Sequence, residues 1–247
     1  MKRSLLLALV VCLFSLRSMG QTLSNVDLTK VYNAIEDEAS PFYYPALLER
    51  YMANDTMLTL FDYHHLYYGY TKQDGYTPFA NGPGEMVAMK LLESGREEEA
   101  RQLLLSELKK SPFSLNMIFR LGSIADMQQK PAEARMWLLK FEGLLRTILQ
   151  SGDGRSEETA WVVISAQDEY PVMGILGLES AGQGLLKSKY DVQTLKTPNE
   201  METEKLYFNI EMPIEHMAKN YRRELAEADK PVRTKKVNKS KTLGVNQ

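Results

Sequence analysis

The stretch GEMVAMKLLESGREEEARQLLLSELKKSPFSLNMIFRLGSIADMQQKPAEARMWLLKFEGLLRTI, residues 84–148, decides the fold. Laid on itself with a shift of 34 residues, it places Val87 on Leu121, Ala88 on Gly122 and Leu91 on Ala125. Further along, Ala100 falls on Ala134, Leu103 on Trp137 and Leu104 on Leu138. The apolar positions recur at helical spacing, so each unit reads as two helices. Gly122 and Ala134 stand where two helices approach closely, since only a small side chain fits where backbones cross. Pro112 sits where the first unit's closing turn belongs.

This period resembles that of tetratricopeptide repeats, which are antiparallel helix pairs. The resemblance covers about residues 83–148. A third unit, normally needed for stability, is not clear upstream. Another backward shift places Leu66 under Ala100 and breaks the small-residue rule.

The rest of residues 27–150 is also expected to be helical. Asp27 and Thr29 can start one helix, and Pro45 opens another that carries Leu47, Leu48 and Tyr51. Asn54-Asp55-Thr56 reads as a cap before Leu58, Leu60 and Phe61. Glycine and proline between Gly69 and Gly84 spell a loop. Ser151-Gly152-Asp153-Gly154 ends the last helix, and the period then changes. Trp161–Ile164, Tyr170–Leu178, Lys189–Leu195 and Leu206–Met212 read as strands. Pro213 opens a final helix. The fold class is α+β: a tetratricopeptide-like helical part, residues 21–150, packed on a small antiparallel sheet of about four strands with a C-terminal helix, residues 151–228.

Both ends differ from this body. Lys2 and Arg3, the apolar run from Leu5, and small residues before Gln21 form the layout of a signal peptide, residues 1–20, cleaved near Gly20-Gln21. The apolar run is short for a bilayer span, and no later segment reaches spanning length. Cys12 is the only cysteine, so the mature chain has none and packing alone must hold it. Loss of Lys2, Arg3 and Arg17 takes the basic count from 30 to 27 against 32 acids, leaving about −5. That balance does not suggest a nucleic-acid binder. From Lys230 onward six basic residues meet no acid, so 229–247 reads as a disordered tail. It is a solvated end or a contact for an anionic surface.

Four segments carry a wider resemblance: Phe61-Asp62-Tyr63-His64-His65-Leu66-Tyr67-Tyr68-Gly69-Tyr70, Asp168-Glu169-Tyr170, Tyr190-Asp191-Val192 and Leu206-Tyr207-Phe208-Asn209-Ile210. Their order and spacing resemble a family of exported Bacteroidetes proteins known only as a domain of unknown function. The resemblance implies a Gram-negative envelope protein and no particular reaction.

Candidate chemistry centres on residues 61–70. Asp62 and His65, three apart, share a helix face and can form an acid–base couple or hold a metal. His64 is turned about 100° from His65. With three histidines and no cysteine in the mature chain, a closed zinc site lacks ligands; neither a metal nor a cofactor is implied. Gly177-Leu178-Glu179-Ser180-Ala181-Gly182 has one residue too many for a nucleophile elbow. Asp168-Glu169 reads as a hairpin turn or as an acid–base pair. Tyr67, Tyr68 and Tyr70 belong to an aromatic-rich set suited to a groove or to inter-domain core, and Tyr170, next to the acid pair, is a further candidate. The favoured reading is a non-catalytic envelope module that binds a protein, peptide or other ligand, because helix-pair repeats make concave surfaces. A hydrolase of envelope polymers using Asp62, His65 and Glu169 is the alternative, and a structural subunit the third.

Overall fold

The computed structural model describes residues 26–78 and 83–228; the leader with its cleavage point, Phe79 and the basic tail lie outside them. The helical part opens with α1 (Leu28–Glu36), capped by the Asp27 carboxylate on the Lys30 amide at 3.1 Å. Pro45 stands in the first turn of α2 (Tyr44–Met52). Asn54 does not cap the next helix; with φ of 61° it ends α2. α3 (Leu60–Gly69) starts at Thr59, whose hydroxyl and the Asp62 carboxylate form a reciprocal capping box. This satisfies two amide donors that the first turn would otherwise leave free.

Four helices follow: α4 (Pro83–Glu93), α5 (Glu97–Leu108), α6 (Leu115–Met127) and α7 (Pro131–Leu149). α4 packs on α5 and α6 on α7. The two turns repeat each other at the period read from the sequence. Gly95 has φ of 70° and Gln129 has φ of 56°. Arg96 donates to the Leu91 carbonyl at 2.8 Å, and Lys130 donates to the Ala125 carbonyl at 2.9 Å. These bonds close a helix through a left-handed residue. Ala88 and Ala100 are fully buried. A Cβ on Gly122 would stand 3.3 Å from that of Trp137, so the small-residue positions do mark close helix approach.

The second part holds β1 (Trp161–Val162), α8 (Glu169–Ile175), β2 (Ser180–Leu186), β3 (Tyr190–Leu195), β4 (Lys205–Asn209) and α9 (Glu211–Ala228). The strand order is β1-β4-β3-β2. The α+β class, four strands and a C-terminal helix are all present. Two details differ from expectation. Residues 170–178 contribute α8 rather than a strand, and the glycine-rich segment 180–186 supplies the strand instead. The sheet is mixed, because β1 pairs in parallel with β4 while the other two ladders are antiparallel. α8 ends where Gly177, φ 68°, lets Leu178 donate back to Met173 at 2.9 Å. One buried cluster runs from Val31 on α1 to Met212 on α9, so the helix-to-sheet boundary near residue 150 does not divide the core.

The matched turns give a direct test. A non-glycine residue in the left-handed region is strained by about 1–2 kcal/mol. Gln129→Gly is expected to raise stability by ~1 kcal/mol in urea unfolding, and Gly95→Gln to lower it by a similar amount.

Candidate functional site

The residues singled out in 61–70 have separate structural duties. Asp62 is buried; its carboxylate accepts from the Thr59 amide at 2.7 Å and lies 3.8 Å from Arg50 Nη1. His65 stacks flat on Phe42, centroids 3.8 Å apart, and its Nδ1 donates to the Phe61 carbonyl at 2.7 Å. His64 sits edge-on to Tyr68 at 4.9 Å, and burial pushes its pKa down to about 4. Tyr67 and Tyr68 line no groove, whereas Tyr70 borders a small pocket with Tyr76. Tyr67 and Tyr68 are fully buried and Tyr70 nearly so. Tyr68 donates to the Val162 carbonyl at 3.1 Å, while the Tyr70 hydroxyl reaches the Gly75 and Lys110 carbonyls. Asp62, His65 and Glu169 share no hydrogen bond, so the arrangement required of the hydrolase does not form.

Glu169 belongs to a different group. Asp168 and Glu169 are not an exposed turn: both are buried where a 3-10 turn, Ala166–Asp168, runs into α8. Tyr67 donates to Asp168 Oδ2 at 2.6 Å and accepts from the Ile164 amide at 3.2 Å. Glu169 Oε2 accepts from Gln193 at 2.8 Å, and Gln193 in turn accepts from Ser180 at 2.8 Å. Gln183 donates to Asp191, and the half-exposed Tyr170 donates to Gln183 at 3.4 Å. Glu169 Oε1 and Asp191 Oδ1 are buried without a donor, and the two carboxyls lie within hydrogen-bonding reach. Burial, then the Asp191 charge, pushes the Glu169 pKa up to about 9. Burial pushes that of Asp168 up to about 7, opposed by the Tyr67 hydrogen bond. A proton held on Glu169 relieves the repulsion between the two carboxyls. Among the described residues no group of three or more His, Cys, Asp or Glu side chains is arranged to hold a metal ion.

The open site lies elsewhere. A cleft of about 220 Å³ separates the 54–63 segment from the middle of α7. Gly143 lets the two sides approach, because a Cβ there would lie 2.5 Å from the Tyr63 ring. Leu58, Leu60, Met136 and Leu139 supply apolar wall. Four charged residues also face it: Asp55, Glu142, Lys140 and Arg146. The two acids are taken, Asp55 by Arg50 at 2.8 Å and Glu142 by Arg146 Nη1 at 3.2 Å. The two cations are not fully used. Arg146 Nε is buried without an acceptor. Lys140 is 7% exposed and has no ion pair or hydrogen bond among the described residues. Its ammonium lies 4.2 Å from the Tyr51 ring centroid and 5.5 Å from that of Trp137. Burial alone pushes its pKa down to about 8. The cleft thus holds an ammonium without an ion pair and an unused guanidinium N–H, beside two acids that already hold cations.

Lys140 was passed over in the sequence, although a signal was there. It falls three residues after Trp137 and four before Leu144, on the face that α7 buries. A lysine on such a stripe needs a reason.

The family model for a domain of unknown function (DUF4919) matches residues 29–219. The match covers more than half of the chain, which belongs to that family. No curated protein and no solved structure matches it.

The acid pair predicts a pH dependence. Folded-state pKa values above those of the unfolded chain mean that the native protein holds extra protons. The contribution of this pair to stability is therefore fully present below about pH 4 and is lost as pH rises toward about 9. Glu169→Gln keeps the uncharged form at every pH. Its melting temperature should match or exceed the parent's at pH 8 and show a shallower decline between pH 5 and 8.

Proposed function

We propose that this member of the DUF4919 family is an exported, non-catalytic binding module of the cell envelope whose α3–α7 cleft takes a small organic anion. One observation carries the reading. A nine-tenths buried lysine lines an open cleft and has no ion pair or hydrogen bond among the described residues. Burying an unpaired cation is costly, and aromatic faces offset only part of that. A ligand carboxylate would supply the missing acceptor for Lys140 and Arg146 Nε, while an aliphatic body fits against Leu58 and Leu139. Export is supported by the leader-like residues 1–20. A tetratricopeptide-like organisation is supported by the two helix pairs with matched turns. The absence of an acid–base constellation around Asp62, His65 and Glu169 favours binding over hydrolysis.

The test is isothermal titration of the mature chain with hexanoate as probe. Saturable binding is expected for the parent and at least tenfold weaker binding for Lys140→Met. Without ligand, Lys140→Met should melt higher by the equivalent of ~1 kcal/mol, since a buried charge is replaced by an apolar chain of similar shape. Equal binding by the two proteins, or a Lys140→Met variant that melts well below the parent, would make Lys140 a packing residue and overturn the proposal.

A further inference from the structure

α9 runs for 18 residues, but only its beginning is seated. Met212 and Pro213 are buried, and the His216 ring meets the edge of Tyr76 at 4.7 Å. Beyond that point the helix leaves the body. Met217, Tyr221 and Leu225 are 49%, 63% and 50% exposed. At 100° per residue these three and Ile214 fall within an arc of about 80°. His216, Lys219 and Arg223 lie on the opposite side, and Arg222 flanks the stripe. An aligned apolar stripe in solvent, unlike scattered single residues, marks a contact surface.

Charge says what kind of surface it contacts. From Lys219 to the end the chain has nine basic residues (three in α9 and six from Lys230 onward) against Glu224, Glu227 and Asp229. That is +6 in the last 29 residues. The chain ahead of Lys219 has the remaining 21 basic residues against 29 acids, or −8. The positive end is thus continuous with the apolar stripe and segregated from an acidic body.

We infer that α9 and the basic residues following it form one element that docks the protein on an anionic phospholipid surface. The stripe enters the interface, with Tyr221 suited to headgroup level. Each lysine or arginine near such a surface contributes about 1 kcal/mol. Neither signal suffices alone, because a short apolar stripe or a few charges binds only weakly and reversibly. The acidic body is repelled by the same surface, which leaves the C-terminal end as the side that approaches.

The experiment is cosedimentation of the mature chain with vesicles of phosphatidylcholine alone or mixed with phosphatidylglycerol. Binding is expected only to the mixed vesicles and should fall in high salt. The double substitution Tyr221→Glu, Leu225→Glu changes only exposed positions, and an unchanged urea midpoint checks its folding. It should weaken binding at least tenfold, as should deletion of residues 229–247. Binding to neither vesicle overturns the inference. So does undiminished binding by either variant, which would show that one signal acts alone. A parent that ignores vesicles but is a dimer by sedimentation equilibrium, made monomeric by the double substitution, assigns the stripe to a second copy instead.

Discussion

A helix buried on almost every side must find a partner for each polar group it carries inward, and α3 carries tyrosines. An unmatched hydroxyl in the core costs roughly 1–3 kcal/mol on protein mutational scales. The stretch from Val162 at the end of β1 to the start of α8 supplies most of the partners. Tyr68 reaches the Val162 carbonyl, Tyr67 bridges the Ile164 amide and Asp168, and Tyr76 donates to the Ile164 carbonyl at 2.6 Å. These bonds fix how α3 lies against the sheet within about a residue, because a shift would leave several hydroxyls orphaned together. The helical part and the sheet therefore share one buried cluster, although the sequence changes period sharply between them. Tyr44, whose hydroxyl is buried without a partner, is the exception.

Features set by short-range chemistry were legible in advance. The 34-residue period became two turns with the same backbone bond, in which Gly95 and Gln129 serve the same left-handed position. Alternation in Leu206–Ile210 and Tyr190–Thr194 gave two strands in register. The errors fall where tertiary context decides. Tyr170–Leu178 is a short apolar run, which periodicity cannot assign to strand or helix; the acids at its start and Pro171 suit a first turn. Ser180–Leu186 has weak strand propensity because of its glycines, yet an edge strand needs only one partner, and β3 provides it. The parallel β1–β4 pair depends on where a two-residue strand lands beside the sheet, and no local pattern encodes that.

The candidate residues divide for the same reason. Histidine and acid in 61–70 looked reactive as neighbours in sequence, but capping, stacking and core packing consumed them one by one. The capping box takes Asp62 because an N3 carboxylate near a helix start is worth more there than facing solvent. The tyrosines went to the core because their rings carry large apolar area and acceptors were at hand.

Besides Asp62 and Glu85, which pair with Arg50 and Arg120, two sets of ionisable groups are buried, and the molecule treats them differently. Around Glu169 the network closes on itself: a proton on Glu169 leaves the acid pair with a single charge, and Gln193, Gln183 and Tyr67 meet most of the other oxygens. Such a network fixes structure and asks nothing of solvent. Lys140 has no comparable way out. Its pKa of about 8 keeps much of it charged at neutral pH, and it rests against aromatic rings in place of an ion pair. Methionine or leucine would fill that position on α7 without the desolvation cost. A fold that settles its buried acids internally but leaves a buried cation open to a cleft has kept the stability penalty where a ligand can relieve it. That asymmetry, rather than the density of reactive side chains, is why the cleft and not the acid pair is the place to look for function.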